Sequence, residues 1–164
     1  MPRTHSLRIF LHKDQRAIAD RVARALNTLL PTHRTGRVRE HERVVAVTCY
    51  FKHWPRVFPQ HGPGRKHRRR IELEAWQSEI VTRHPGEFLR GLIESDGCRH
   101  RRIVAGRNYS AYSFTNHSED ILGLFVWACG LIGVRSRRSN RVMISIARRR
   151  DVARLDSLMA REAV

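Results

Sequence analysis

Residues 89–97 read Leu89-Arg90-Gly91-Leu92-Ile93-Glu94-Ser95-Asp96-Gly97, and this run decides how the rest of the chain is understood. Phe88, Leu89, Leu92 and Ile93 form an apolar stripe at helical spacing. Gly91 and Ser95 lie four apart beside it, small enough to let a second helix backbone come close. Asp96 ends the segment, where the helix macrodipole disfavours a negative charge by about 0.3–1 kcal/mol. Gly97 suits a left-handed helix stop. A carboxylate set against the dipole, at the end of a close-packing helix, points to a bound cation.

Outward from this helix the chain alternates between strand and helix patterns. Downstream, Arg99 to Ile103 and Tyr109 to Asn116 read as strands joined through Gly106. Ser118, with Glu119 and Asp120 behind it, opens a helix to about Ile132. Val134 to Arg138 and Arg141 to Ala147 read as a hairpin through Ser139-Asn140, and residues 149–161 as a last amphipathic helix. Upstream, Leu7 to Leu11 alternates like a strand, and Asp14 is the expected cap of a helix to about Leu30, ended by Pro31. Two strands come next, Arg37 to His41 and Arg43 to Tyr50, then a helical turn over His53 to Phe58. A basic connector, His61 to Arg70, leads to a helix from Glu74 to His84.

The two halves share a hydrophobic plan. Leu11, Ile18, Val22 and Leu29 fall on Phe114, Ile121, Phe125 and Ile132 at a constant offset of 103. Val44, Trp54 and Val57 fall on Val142, Val152 and Leu155 at an offset of 98. Both halves thus read strand-helix-strand-strand-helix, and only the second is led by a helix like that at 88–97. The division expected is an N-terminal half-unit at 1–60, a connector and helix at 61–84, and a C-terminal unit at 85–164.

Lys and Arg number 32 against 15 Asp and Glu, a formal net charge of +17 over 164 residues. Such an excess goes beyond what solubility needs and makes a polyanion the first partner to consider. Cys49, Cys98 and Cys129 are isolated, without the paired spacing of a zinc site, and read as reduced thiols. The longest apolar run, Ile121 to Val134, is 14 residues with three glycines, too short for a membrane span. No signal peptide pattern is visible at Met1. A soluble, intracellular, cytoplasmic protein with no membrane or small-molecule partner is expected.

Letter for letter, residues 89–97 resemble the LAGLIDADG signature of homing endonucleases, with six identities and the changes Arg90, Glu94 and Ser95. The resemblance runs on to about Ala160 and, more faintly, back through residues 7–60. It implies an α+β fold of two αββαββα units, the first lacking its leading helix, whose four-stranded antiparallel sheets form a DNA-binding saddle. It also implies that Asp96 is a metal ligand and catalytic residue, with Glu94 at most in support. Six residues precede Leu7, too few for a helix of about ten, so no counterpart of Asp96 is expected there.

The activity implied by the resemblance is metal-dependent hydrolysis of a phosphodiester in duplex DNA, with Mg²⁺ or another divalent cation at paired carboxylates. The alternatives are a DNA-binding or transcription-regulatory protein that has lost catalysis, and an RNA-binding, maturase-like protein. In the strand at 107–115, Phe114 belongs inside, which leaves Arg107, Tyr109, Ser113 and Thr115 outward. Arg99, Arg101, Arg135, Arg137 and Arg141 are expected to extend that basic face, matched in the first half by Arg8, Arg37 and Arg39. A lone motif helix would expose Gly91 and Ser95, so a homodimer through residues 88–96 is expected to bring two Asp96 carboxylates together.

Overall fold

Apolar alternation over Leu7, Ile9 and Leu11 makes strand β1 (Ser6–His12), which is followed by helix α1 (Arg16–Leu29), strands β2 (Thr35–His41) and β3 (Val44–Tyr50), and the single-turn helix α2 (Trp54–Val57). The computed structural model describes residues 4–62, 65 and 68–160, the side chains at 39, 40 and 104 aside. It falls into two units, Met1–His61 and Gly62–Val164. In the first, the antiparallel order is β1-β3-β2. Leu7, Ile9 and Leu11 stand opposite Cys49, Val47 and Val45, and α1 lays Ala19, Val22 and Leu26 against that face. Trp54 closes the core, its indole Nε1 donating to the Cys49 carbonyl at 2.9 Å. The expected cap at Asp14 is not used. Gln15 is the N-cap, and its Oε1 turns back to accept from the His12 amide at 2.9 Å.

The second unit runs α3 (Ala75–Arg83), α4 (Pro85–Asp96), β4 (Gly97–Val104), β5 (Arg107–Thr115), α5 (Glu119–Leu131), β6 (Arg137–Asn140), β7 (Met143–Ile146) and α6 (Arg149–Ala160). Its antiparallel sheet has the order β4-β5-β7-β6. A reciprocal capping box between Glu74 and Gln77 starts α3, and Pro85, which suits a first helical turn, separates it from α4. Leu89 and Ile93 of α4 join Leu122, Phe125, Ile144, Ile146 and Leu155 in one buried core. Phe114 and Phe125 stack there with ring centroids 4.3 Å apart. The β4–β5 turn has positive φ at both Ala105 (48°) and Gly106 (73°), as a two-residue turn matched to strand twist requires.

Two local expectations change. Gly97 is extended, with φ −94° and ψ 158°, rather than left-handed, and α4 passes straight into β4. Glycine is needed for room: a Cβ there would lie 2.6 Å from the Ile93 carbonyl oxygen and 2.7 Å from its Cα. The last hairpin turns at Arg141-Val142, later than Ser139-Asn140, because the Asn140 side chain accepts from the Val142 amide at 2.9 Å. Val134, expected in that strand, is buried in the core instead.

The internal repeat is visible in the topology. β1-α1-β2-β3-α2 follows the course of β5-α5-β6-β7-α6, and the sheet orders β1-β3-β2 and β5-β7-β6 agree. Leu11 pairs with Val45 as Phe114 pairs with Ile144, so β3 lies one position beyond the offset expected from the sequence. Among the described residues the first sheet has three strands, not the four that the resemblance implies. Among the described residues no counterpart of α4 or β4 precedes β1.

Candidate nucleic-acid interface

Side chains alternate across a strand, so the buried Phe114 and Tyr112 fix which face of the four-stranded sheet looks away from the helices. Register then assigns the rest of that outward face. His100 lies opposite Ala111 and Arg102 opposite Tyr109, while Ser113 lies opposite Ser145 and Ser145 opposite Arg137. Arg107 and Thr115 share the side of Tyr109 and Ser113 on β5. Among the described residues this face carries Arg102, Arg107, Arg137 and His100 together with Tyr109, Ala111, Ser113, Thr115 and Ser145, and no carboxylate. Such a surface suits phosphate oxygens and the acceptor edge of guanine.

The arginines expected together are divided by the structure. Arg107 and Arg137 are outward, but Arg99 lies opposite the buried Tyr112, on the helix side. There its guanidinium grips Asp156 of α6 with bonds of 2.7 and 2.9 Å, and the Tyr112 hydroxyl donates to the same carboxylate at 2.7 Å. The two donors, Arg99 first, hold the Asp156 carboxyl below the ordinary carboxylate range. Burial first, then the bond to Asp156, pushes the Tyr112 phenol up to about 12. Arg101 shares Arg99's side of β4. Arg135 is exposed in the segment before β6, its amide donating to the buried Asp151 at 3.3 Å, and Arg141 sits in the β6–β7 turn. Arg138, next to Arg137, turns to the helix side and binds Glu119 of α5 through two bonds of 2.8 and 2.6 Å.

In the three-stranded sheet, Arg8 stands opposite Thr48 on the outward face. Arg37 stands opposite the buried Val47 on the other face and pairs with Asp20 of α1. Arg39 shares Arg37's strand parity, and its side chain lies outside the described ones. In the basic connector, residues 63, 64, 66 and 67 also lie outside the described set. Arg69 donates to the Gly62 carbonyl and Arg70 pairs with Glu72.

Asp96 ends α4 with an exposed carboxylate. Its Oδ2 accepts from Asn116 Nδ2 at 3.0 Å. Asn116 is itself fixed, its Oδ1 accepting from the Ser118 amide at 2.9 Å and its own amide donating to the Val142 carbonyl at 2.9 Å. Asp96 stands out in the sequence, whereas Asn116 reads there only as the last residue of a strand, with no signal of its contact to Asp96. Among the described residues no three His, Cys, Asp or Glu side chains gather as a cation cage. Mg²⁺ takes one or two carboxylates with phosphate and water oxygens, so Asp96 fits as one ligand and leaves a paired site half supplied. Gly91 and Ser95 are exposed, with nothing within 4 Å of a Cβ placed at Gly91. Cys49 and Cys129 are buried and Cys98 exposed, all three unpaired. Among the described residues, no helix is long and apolar enough to cross a membrane.

A motif helix leads an αββαββα unit, a shorter unit repeats the course of its later elements, and the chain has the LAGLIDADG fold. The LAGLIDADG meganuclease I-AabMI, solved bound to uncleaved DNA, matches with a TM-score of 0.58 at 13% identity, over 94% of this chain and 73% of that one. The N-terminal LAGLIDADG domain of DUF199/WhiA matches with a TM-score of 0.53 at 14% identity, also over 94% and 73%. No family model and no curated protein sequence matches the chain.

Proposed function

We propose that this protein binds duplex DNA on the outward faces of its sheets. The observation that carries this reading is the four-stranded sheet's face, which presents Arg102, Arg107 and Arg137 without a described carboxylate. A protein of the same fold, the meganuclease I-AabMI, has been solved bound to DNA, and a net charge of +17 favours a polyanion. Binding to random-sequence duplex is expected with Kd of roughly 10⁻⁴–10⁻⁶ M at physiological salt, weakening steeply as salt rises. Fluorescence anisotropy across a salt series checks it, with structured RNA as competitor. RNA displacing duplex at lower concentration than duplex displaces RNA would favour the maturase-like alternative.

A second reading, phosphodiester hydrolysis with Mg²⁺ or another divalent cation, rests on Asp96 and its Asn116 anchor. A metal held there would activate water and stabilise the leaving oxygen in an in-line displacement. One carboxylate is half of such a site, and the open Gly91–Ser95 face offers a way to complete it. Two copies pairing through α4 would bring two Asp96 side chains together. Asp96→Ala is expected to abolish Mg²⁺-dependent cutting while leaving binding intact. Gly91→Arg is expected to abolish cutting and dimer mass together, by light scattering. Binding without cutting under any metal condition supports the non-catalytic DNA-binding alternative.

A further inference from the structure

The outward faces of the two sheets differ in chemistry. Register builds that of the three-stranded sheet in rows. Phe10, Ala46 and Val38 form one row across the strands, Arg8, Thr48 and Gly36 the next, and Ser6 and Tyr50 a third. Phe10 is 56% exposed, Val38 45% and Tyr50 57%, while Ala46 between the first two is fully covered. Among the described residues the centre of this face is therefore an apolar row in a chain of charge +17, with the row of Arg8 on one side and that of His12, Val44 and His41 on the other. Gly36 keeps one edge of the neighbouring row low, with only the Thr48 carbonyl oxygen, 4.0 Å away, near a Cβ built there. A purely phosphate-binding surface has no use for exposed Phe10 and Val38, which leave apolar area in water.

We infer that the two sheets read different bases, the first unit's sheet thymine through Phe10 and Val38 and the second's guanine through its outward arginines. This rests on the duplex-binding reading. In the major groove thymine alone presents a C5-methyl, and apolar side chains are its natural contact, whereas arginine pairs bidentately with guanine O6 and N7. Arg8, next to the apolar row on β1, supplies the charge that holds a phosphate nearby. The two stretches of duplex met by the sheets thus differ in composition: one carries thymine at fixed positions, the other guanine. Part of this asymmetry comes from β4, which carries Arg102 and has no counterpart among the described strands of the first sheet, and the rest from the side chains on the repeated strands.

The test uses the full chain and selection from a random-sequence duplex pool. Selected sites are expected to carry thymine at some positions and guanine at others. Replacing those thymines by deoxyuridine, which removes only the methyl, is expected to weaken binding about two- to fourfold per contacted base. Phe10→Ser with Val38→Ser is expected to erase both the thymine enrichment and the deoxyuridine penalty and to keep the guanine enrichment. Arg102→Ser with Arg107→Ser is expected to do the reverse. The deoxyuridine comparison on the unaltered protein needs no variant to fold. Equal affinity for thymine and deoxyuridine sites overturns this inference and leaves duplex binding standing. Absence of salt-dependent duplex binding overturns both. A fall in dimer mass for the Phe10/Val38 variant, with the deoxyuridine penalty unchanged, would assign the face to a second copy and overturn the inference.

Discussion

The second unit covers its four-stranded sheet with α4, α5 and α6 and stacks Phe114 on Phe125 in the middle. The first covers three strands with one 14-residue helix and a single turn, around a smaller set comprising Ala19, Leu26, Val47, Cys49 and Trp54. The elements the two units share follow the same course, and the amount of buried apolar surface differs. Since burial supplies most of the favourable free energy, the first unit is the less stable one. Its strands are expected to exchange amide hydrogens faster than β5 and β7. The comparison also separates fold from chemistry, because the same strand order supports an apolar outward face in one unit and an arginine face in the other.

The largest break in this comparison is expected from Phe114→Ala, which removes a 1%-exposed ring and one side of the Phe114–Phe125 stack. Such a truncation costs about 3–5 kcal/mol. Thermal melting and hydrogen exchange should show the second unit falling to or below the stability of the first. If α4 and β4 kept their protection in that variant, the second unit's greater stability would not come from this core.

Gly97→Ala is expected to cost less, about 1–3 kcal/mol, as an overpacked site does. The added Cβ would meet backbone atoms of Ile93 that cannot move aside. The contrasting change is Gly91→Ala, in open space on the same helix, which should stabilise α4 by about 0.8–1 kcal/mol. Equal melting temperatures for the two variants would contradict the close helix-to-strand passage at Gly97.

A smaller effect separates the units by pH. Asp156 is held below its ordinary range by Arg99 and then Tyr112, so the unfolded chain binds its proton first. The stabilisation is present above the unfolded value of about 3.9 and is lost as pH falls through the lower folded one. Tyr112, pushed up to about 12 mainly by burial, works in the opposite sense. Its contribution is present below about pH 10 and lost as pH rises from there to about 12. Asp156→Asn should flatten the acid limb of the second unit's stability curve, and Tyr112→Phe the alkaline limb. Unchanged limbs would mean that the Arg99–Asp156–Tyr112 cluster does not couple α6 to the sheet.

Much of this was legible in the sequence. The motif helix, the element order, the repeat and the outward side of β5 are all written in apolar periodicity, because Phe114 and the core helices carry strong signals. Strand parity failed where apolar signal is thin. In β4 the run Arg99-His100-Arg101-Arg102 has no alternation, and only its register against Phe114, through Gly97, shows that Arg102 is outward and Arg99 inward. In β2 the one apolar residue misleads, since Val38 faces out and Arg37 turns in to Asp20. Arg138 and Glu119 could not be paired from sequence, because their meeting depends on where α5 lies over β6. Asn116 escaped notice for the same reason: its role is visible only once Asp96 is beside it.

The central claim is that the duplex is met by the outward faces of the sheets, and neighbouring arginines on opposite faces test it most directly. Arg137 faces outward while Arg138 is held by Glu119 on the helix side, and Arg102 and Arg99 are divided in the same way. Measured by anisotropy over a salt series, Arg137→Ser and Arg102→Ser should each weaken duplex binding and lower the salt slope by about one. Arg138→Ser and Arg99→Ser should leave the slope unchanged. Equal losses within each pair, or losses confined to Arg138 and Arg99, would contradict the account.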